Sequence, residues 1–105
     1  MHFVETPIFT RQVTSLLSDD EYKALQQALL LRPEQGALIR GSGGLRKVRW
    51  SKRGIGKRGG IRVIYYWHEG DDEFFMLFAY GKNVQGDLSQ AQLRVLRRIV
   101  REEFE

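Results

Sequence analysis

The stretch Ile61-Arg62-Val63-Ile64-Tyr65-Tyr66-Trp67-His68, followed by Glu69-Gly70-Asp71-Asp72-Glu73 and then Phe74-Phe75-Met76-Leu77-Phe78-Ala79-Tyr80, decides the fold. β-Branched and aromatic residues of this kind suit a pleated, half-buried surface. Period-2 alternation puts Ile61, Val63, Tyr65 and Trp67 on one face of the first run and Arg62, Ile64, Tyr66 and His68 on the other. The acidic link over 69–72 is too short for a crossover, so residues 74–80 return antiparallel. Upstream, residues 45–51 read as a third strand, with Val48 and Trp50 alternating against Lys47 and Arg49. The three runs make a meander.

Helices flank it. Residues 3–8 read as a short strand ended by Thr6-Pro7, since proline suits a strand end, and residues 9–17 as a short helical turn. Ser18-Asp19-Asp20-Glu21 is a capping box that opens a helix. Tyr22, Leu25 and Leu29 give that helix its apolar spacing, and Arg32-Pro33 stops it. Ser89-Gln90-Ala91-Gln92 opens a last helix, with Leu93, Leu96, Val100 and Phe104 in one stripe. On its opposite flank Arg94, Arg97, Arg98 and Arg101 fall together. At 105 residues the chain is long enough for one domain, not two. The expectation is an α+β fold: a single domain over residues 1–105, mainly antiparallel, with helices packed on one face.

Composition excludes several chemistries. The chain has no cysteine, so disulfides, thiolate catalysis and cysteine-based zinc sites are absent. Its two histidines, His2 and His68, have no spacing that would make a two-histidine nuclease, and Glu69, Asp71, Asp72 and Glu73 read as a solvated turn rather than a metal site. No metal or cofactor is expected. Gly54-Ile55-Gly56-Lys57-Arg58-Gly59 fits G-x-G-x-x-G but lies between two strands, where a dinucleotide fingerprint would have to open a helix. No apolar run approaches a membrane span and the N-terminus has no basic n-region. A cytoplasmic protein with no membrane partner is therefore expected.

The charge pattern points to a polyanion. Nine of the 17 Lys and Arg residues lie between Arg40 and Arg62, with no acid among them. They are Arg40, Arg46, Lys47, Arg49, Lys52, Arg53, Lys57, Arg58 and Arg62, and a basic turn, Tyr80-Gly81-Lys82-Asn83, follows the last strand. Like charges this dense oppose folding, and a nucleic-acid backbone would offset that cost. The glycine-rich segment over 52–60 reads as a basic loop that lets backbone and lysine approach phosphate. Tyr65, Trp67, Phe74 and Phe78 read as core rather than as base-stacking residues. Tyr80, beside the basic turn, fits either role.

Three segments in this order resemble the RelE/HigB-like toxins of bacterial type II toxin–antitoxin modules. They are Gly44-Leu45-Arg46-Lys47-Val48-Arg49, then Gly56-Lys57-Arg58-Gly59-Gly60-Ile61-Arg62-Val63-Ile64-Tyr65-Tyr66, then Leu77-Phe78-Ala79-Tyr80-Gly81-Lys82-Asn83. The resemblance implies a microbial-RNase-like fold and ribosome-dependent, metal-independent cleavage of mRNA. It also implies contact with rRNA, and a helix-turn-helix antitoxin as partner to a toxin that is monomeric when free. Arg62, Lys82 and Lys57 are then the expected catalytic residues. Arg46, Arg49, Lys52, Arg53, Arg58 and Tyr80 are the expected RNA-binding set. A tyrosine that some relatives use near the C-terminus is replaced by Phe104, so no general acid or base is assigned by the likeness. Two other readings share these features: a gyrase poison on the same fold, and a non-catalytic RNA-binding module.

Overall fold

The computed structural model describes residues 2–51 and 60–104. Its elements are β1 (His2–Glu5), α1 (Pro7–Leu16), α2 (Asp19–Leu31), β2 (Ala37–Leu38), β3 (Arg46–Trp50), β4 (Ile61–His68), β5 (Glu73–Gly81) and α3 (Gln90–Phe104). They form one five-stranded sheet in the order β1-β5-β4-β3-β2. The meander β3-β4-β5 is antiparallel as expected, and β2 extends it antiparallel, whereas β1 joins β5 parallel. The two-residue β2 lies in what reads as loop sequence, being too short to show alternation.

The N-terminal helix is longer than its sequence suggests. Thr6-Pro7 reads as a strand end, and it is also a helix start. Thr6 is the N-cap, its hydroxyl accepting from the Phe9 N–H, and Pro7 occupies the first turn, where its missing N–H costs nothing. The same hydroxyl donates to the Leu77 carbonyl at 2.9 Å, fixing α1 to the edge of β5. Beyond the end of β1, the Gln12 side-chain carbonyl accepts from the Ala79 N–H at 2.8 Å, which satisfies a strand-edge donor that β1 does not reach. The capping box of α2 is formed in both directions between Ser18 and Glu21.

The α+β class and the mainly antiparallel sheet follow the sequence reading, but the helices occupy both faces rather than one. Phe9, Val13, Leu25 and Leu29 of α1 and α2 pack on Val48, Ile61, Val63, Tyr65, Phe74 and Met76. Leu96 and Val100 of α3 pack on Leu45, Ile64, Phe75, Leu77 and Tyr80. The reason is physical: Ile64, Phe75 and Leu77 make the second face apolar too, and a two-sided apolar sheet needs cover on each side.

One irregularity redirects β5. Ile64 pairs with Phe78 while Tyr65 pairs with Met76, so Leu77 is an extra residue. This bulge reverses the alternation beyond it. Phe74 and Met76 face α1 and α2, yet Tyr80, six residues after Phe74, faces α3.

Tyr65 ties the α2–β2 connection to the core. Its ring is fully buried, and its hydroxyl donates to the Pro33 carbonyl at 2.7 Å and accepts from the Gly36 N–H at 3.0 Å. A Cβ at Gly36 would lie 2.8 Å from that ring, which is why this position is glycine. Tyr65→Phe strands a donor and an acceptor together. The expected loss is about 1–3 kcal/mol, read by urea titration as a lower midpoint with an unchanged slope.

Candidate functional site

β4 places Arg62 on the α3-facing side of the sheet. Antiparallel pairing sets Arg49 of β3 and Tyr80 of β5 directly opposite it, one on each side. The row Arg49–Arg62–Tyr80 crosses three strands near the end where residue 60 enters β4 and Gly81 leaves β5. Directly opposed residues have Cβ atoms about 4.5–5.5 Å apart, so the two arginines repel.

The environment sharpens that repulsion. Arg62 is only 4% exposed. The single hydrogen bond of its side chain among the described residues is a long one, Nη1 to the Ile61 carbonyl at 3.4 Å. The carboxylates paired among those residues are Asp87, with Lys47, and Asp71, which lies against His68, so no described carboxylate neutralises Arg62. A buried cation without a partner is costly. The Tyr80 hydroxyl is buried and has no hydrogen-bond partner among the described residues. Burial raises the Tyr80 pKa, the Asp87 carboxylate raises it further, and the Arg62 guanidinium opposes both. At neutral pH the phenol is therefore a neutral donor beside a guanidinium.

Lys47 stands two residues before Arg49 on the same face, and its Nζ lies 3.2 Å from Asp87 Oδ1. The Leu88 N–H donates to that carboxylate and holds its pKa below the ordinary value; burial opposes this, and Lys47 adds to the lowering. Lys47 and Asp87 are absent from the site expected on sequence. Alternation over 45–51 does place Lys47 beside Arg49. Asp87 gives no local signal, because the chain reversal after β5 brings it there.

The remaining expected residues divide three ways. Lys82 is exposed at the end of β5, where its N–H donates to the Gly60 carbonyl at 3.2 Å, so it shares the sheet end with Arg62. Arg46 lies on the opposite face, alternating with Lys47, and its Nη1 donates to the carbonyls of Glu34 and Gly36 at 2.9 and 2.8 Å. It clamps the α2–β2 connection and is not in the row. Lys52, Arg53, Lys57 and Arg58 lie outside the described residues. Among those described, no group of three His, Asp or Glu residues could hold a metal ion. Nor is any helix long and apolar enough to cross a membrane.

The arrangement is a cationic sheet face with a neutral hydroxyl donor, chemically suited to a phosphodiester. A solved structure of the E. coli toxin RelE, a double-arginine mutant in the free state, has the same fold. The two align with a TM-score of 0.56 over 81% of this chain and 86% of that one, at 14% sequence identity. The family model described as the RelE toxin of the RelE/RelB toxin–antitoxin system matches residues 6–105, and the chain thus belongs to the RelE toxin family.

Proposed function

We propose that this toxin is a ribosome-dependent mRNA endoribonuclease. The observation that carries the reading is the buried Arg62, flanked by Arg49 and Tyr80 and lacking a described carboxylate partner. A scissile phosphate placed against this row supplies the missing negative charge. The RNA 2′-oxygen attacks the adjacent phosphorus, the P–O5′ bond breaks, and negative charge on the phosphoryl oxygens peaks between the two. Fixed donors aimed at that charge are the largest catalytic term in many enzymes. Arg62 is the central donor, Lys82 and Lys57 supply further cations, and the Tyr80 hydroxyl lends a neutral one. Arg49, Lys52, Arg53 and Arg58 hold the flanking backbone.

Among its described residues the site has no pair of groups poised for proton transfer to and from free RNA. Positioning must therefore provide much of the rate, and holding reactants in line contributes as much as about 7–11 kcal/mol. The ribosomal A site, which presents mRNA one codon at a time, is the body that does this. A cell that makes such a toxin needs an inhibitor, and a helix-turn-helix antitoxin with an acidic or amphipathic arm fits the cationic surface by electrostatic complementarity.

Arg62→Ala and Lys82→Ala should each abolish growth arrest at equal expression while leaving the fold intact. Loss of one charge-stabilising donor lowers the rate by about a hundred- to a thousandfold. Arg62→Lys should recover little, because a point charge does not reproduce the planar fork. Mapping mRNA 5′ ends after brief induction checks the reaction itself. Cuts in codon register support it; DNA damage without cuts identifies a gyrase poison, and neither identifies a non-catalytic RNA-binding module.

The Lys57→Ala/Arg58→Ala double variant should bind ribosomes more weakly, with a shallower dependence on salt. Each lost phosphate contact reduces the slope of log K against log salt by about 0.7–0.9. An unchanged slope removes these two residues from phosphate binding.

A further inference from the structure

A second polar cavity lies at the other end of the α3-facing side, remote from Arg62. It has a volume of about 160 Å³ and is lined by Ser42, Gly43, Tyr66, His68, Arg97 and Arg101, with Phe104 at its wall. Tyr66 follows Arg62 by four residues on β4, about 13 Å at the rise of an extended strand. The residues of the Arg49–Arg62–Tyr80 row take no part in it.

Its walls are fixed. Phe104 of α3 stacks on His68 at 4.5 Å and 18° and packs against Tyr66 at 5.3 Å. On the other side stands the turn before β3. The Ser42 hydroxyl donates to the Ile39 carbonyl at 2.5 Å and accepts from the Leu45 N–H at 2.9 Å, which locks that turn. Gly43 has φ of +75°, a left-handed conformation that favours glycine, and a Cβ there would reach to 4.0 Å from Arg97 Nε. The turn therefore presents backbone, not side chain, to the arginine.

Two arginines of α3 line the cavity. Arg97 and Arg101 are one helical turn apart, so they share a side of α3 and repel. Arg97 is half-buried and makes no ion pair among the described residues. Among the described residues no carboxylate lines the cavity; Asp71 meets His68 at Nδ1, 3.2 Å away, from the β4–β5 turn. The four arginines of α3 are thus not equivalent. Arg97, half-buried, and Arg101, exposed, line the cavity with an imidazole, a phenol and a glycine turn, whereas Arg94 and Arg98 are exposed and line no part of it.

We propose that this cavity is a second phosphate-binding site, taking one phosphate group of an RNA backbone or of a free nucleotide. Two guanidinium forks converging on one small space match the several oxygens of a phosphate, which accepts paired N–H donors. The aromatic wall leaves room for the attached sugar or base to pack. The assignment rests on the cavity's own chemistry and holds whether or not the Arg62 face cleaves RNA.

The test uses the full chain labelled with ¹⁵N, titrated separately with inorganic phosphate, adenosine 5′-monophosphate, a short single-stranded RNA without a 5′-phosphate, and an acidic peptide. The Gly43 amide and the Arg97 Nε signal should move saturably with phosphate. Saturation by the RNA assigns the site to backbone; saturation by the mononucleotide alone assigns it to free nucleotide. In parallel, RNA affinity is compared between Arg97→Ala/Arg101→Ala and Arg94→Ala/Arg98→Ala, which remove equal charge from the same helix. If backbone is the ligand, the first pair should lose about tenfold, the scale of one charge-assisted contact, and the second less than about twofold. The proposal is overturned if phosphate leaves Gly43 and Arg97 unmoved, if the acidic peptide saturates them ahead of every phosphate, or if RNA saturates them and yet the two double variants weaken RNA binding equally. The titration needs no variant, so a folding defect in either pair leaves the decision to it.

Discussion

The pairing of β4 with β5 is the constraint from which the rest follows. It is the longest strand contact in the sheet, and its register sets what each face presents. Up to Met76 the two strands alternate in step, and the aromatic residues facing α1 and α2 close one core. The extra residue at Leu77 then turns the end of β5 over. Without it, Tyr80 would sit with Phe74 and Met76 beneath the N-terminal helices, and Arg62 would lose its neighbour. A one-residue shift in a strand carries a whole set of side chains to the other face; here it is confined to the last turn of the sheet.

That local change explains how a small domain tolerates so much positive charge at one place. The apolar part of the α3-facing side, Ile64, Phe75, Leu77, Leu96 and Val100, occupies the middle of the sheet and supplies the packing. The cationic row lies to one side of it, and the polar cavity of Arg97 and Arg101 to the other. Stability and charge are thus separated along β4 instead of being mixed. Arg62 is the exception, buried without a described acid, and its cost is spread over a core whose two faces are both covered. Among the described residues the Lys47–Asp87 ion pair lies before α3 and the His68–Asp71 contact at the β4–β5 turn, both at the margins, and neither draws charge away from Arg62.

Much of this was legible in the amino-acid order. The alternation over 61–68 placed Ile61, Val63 and Tyr65 on one face and Arg62 on the other, and Ser18-x-x-Glu21 marked the start of α2. The short link at 69–72 required an antiparallel return. What escaped the reading has identifiable causes. The bulge has no signature in a run as uniformly apolar as 74–80, so alternation alone would leave Tyr80 with Phe74. Thr6-Pro7 carries both a strand-end and a helix-start meaning, and only the Leu77 carbonyl, 71 residues away in sequence, selects the second. Arg46 and Lys47 look alike as charges; one residue of register sends Arg46 to the carbonyls of Glu34 and Gly36 and Lys47 to Asp87. Helical spacing grouped four arginines on α3, and only the 41–44 turn and β4 separate Arg97 and Arg101 from the rest.

The central claim is that the Arg62 face needs the ribosome to hold its substrate in line. The most direct measurement adds purified chain to one mRNA in two states: free, and threaded through a ribosome stalled with an empty A site. The account predicts cleavage within the A-site codon of the ribosome-bound mRNA and little or none of the free RNA. Equal cleavage of both, or of neither, would contradict it.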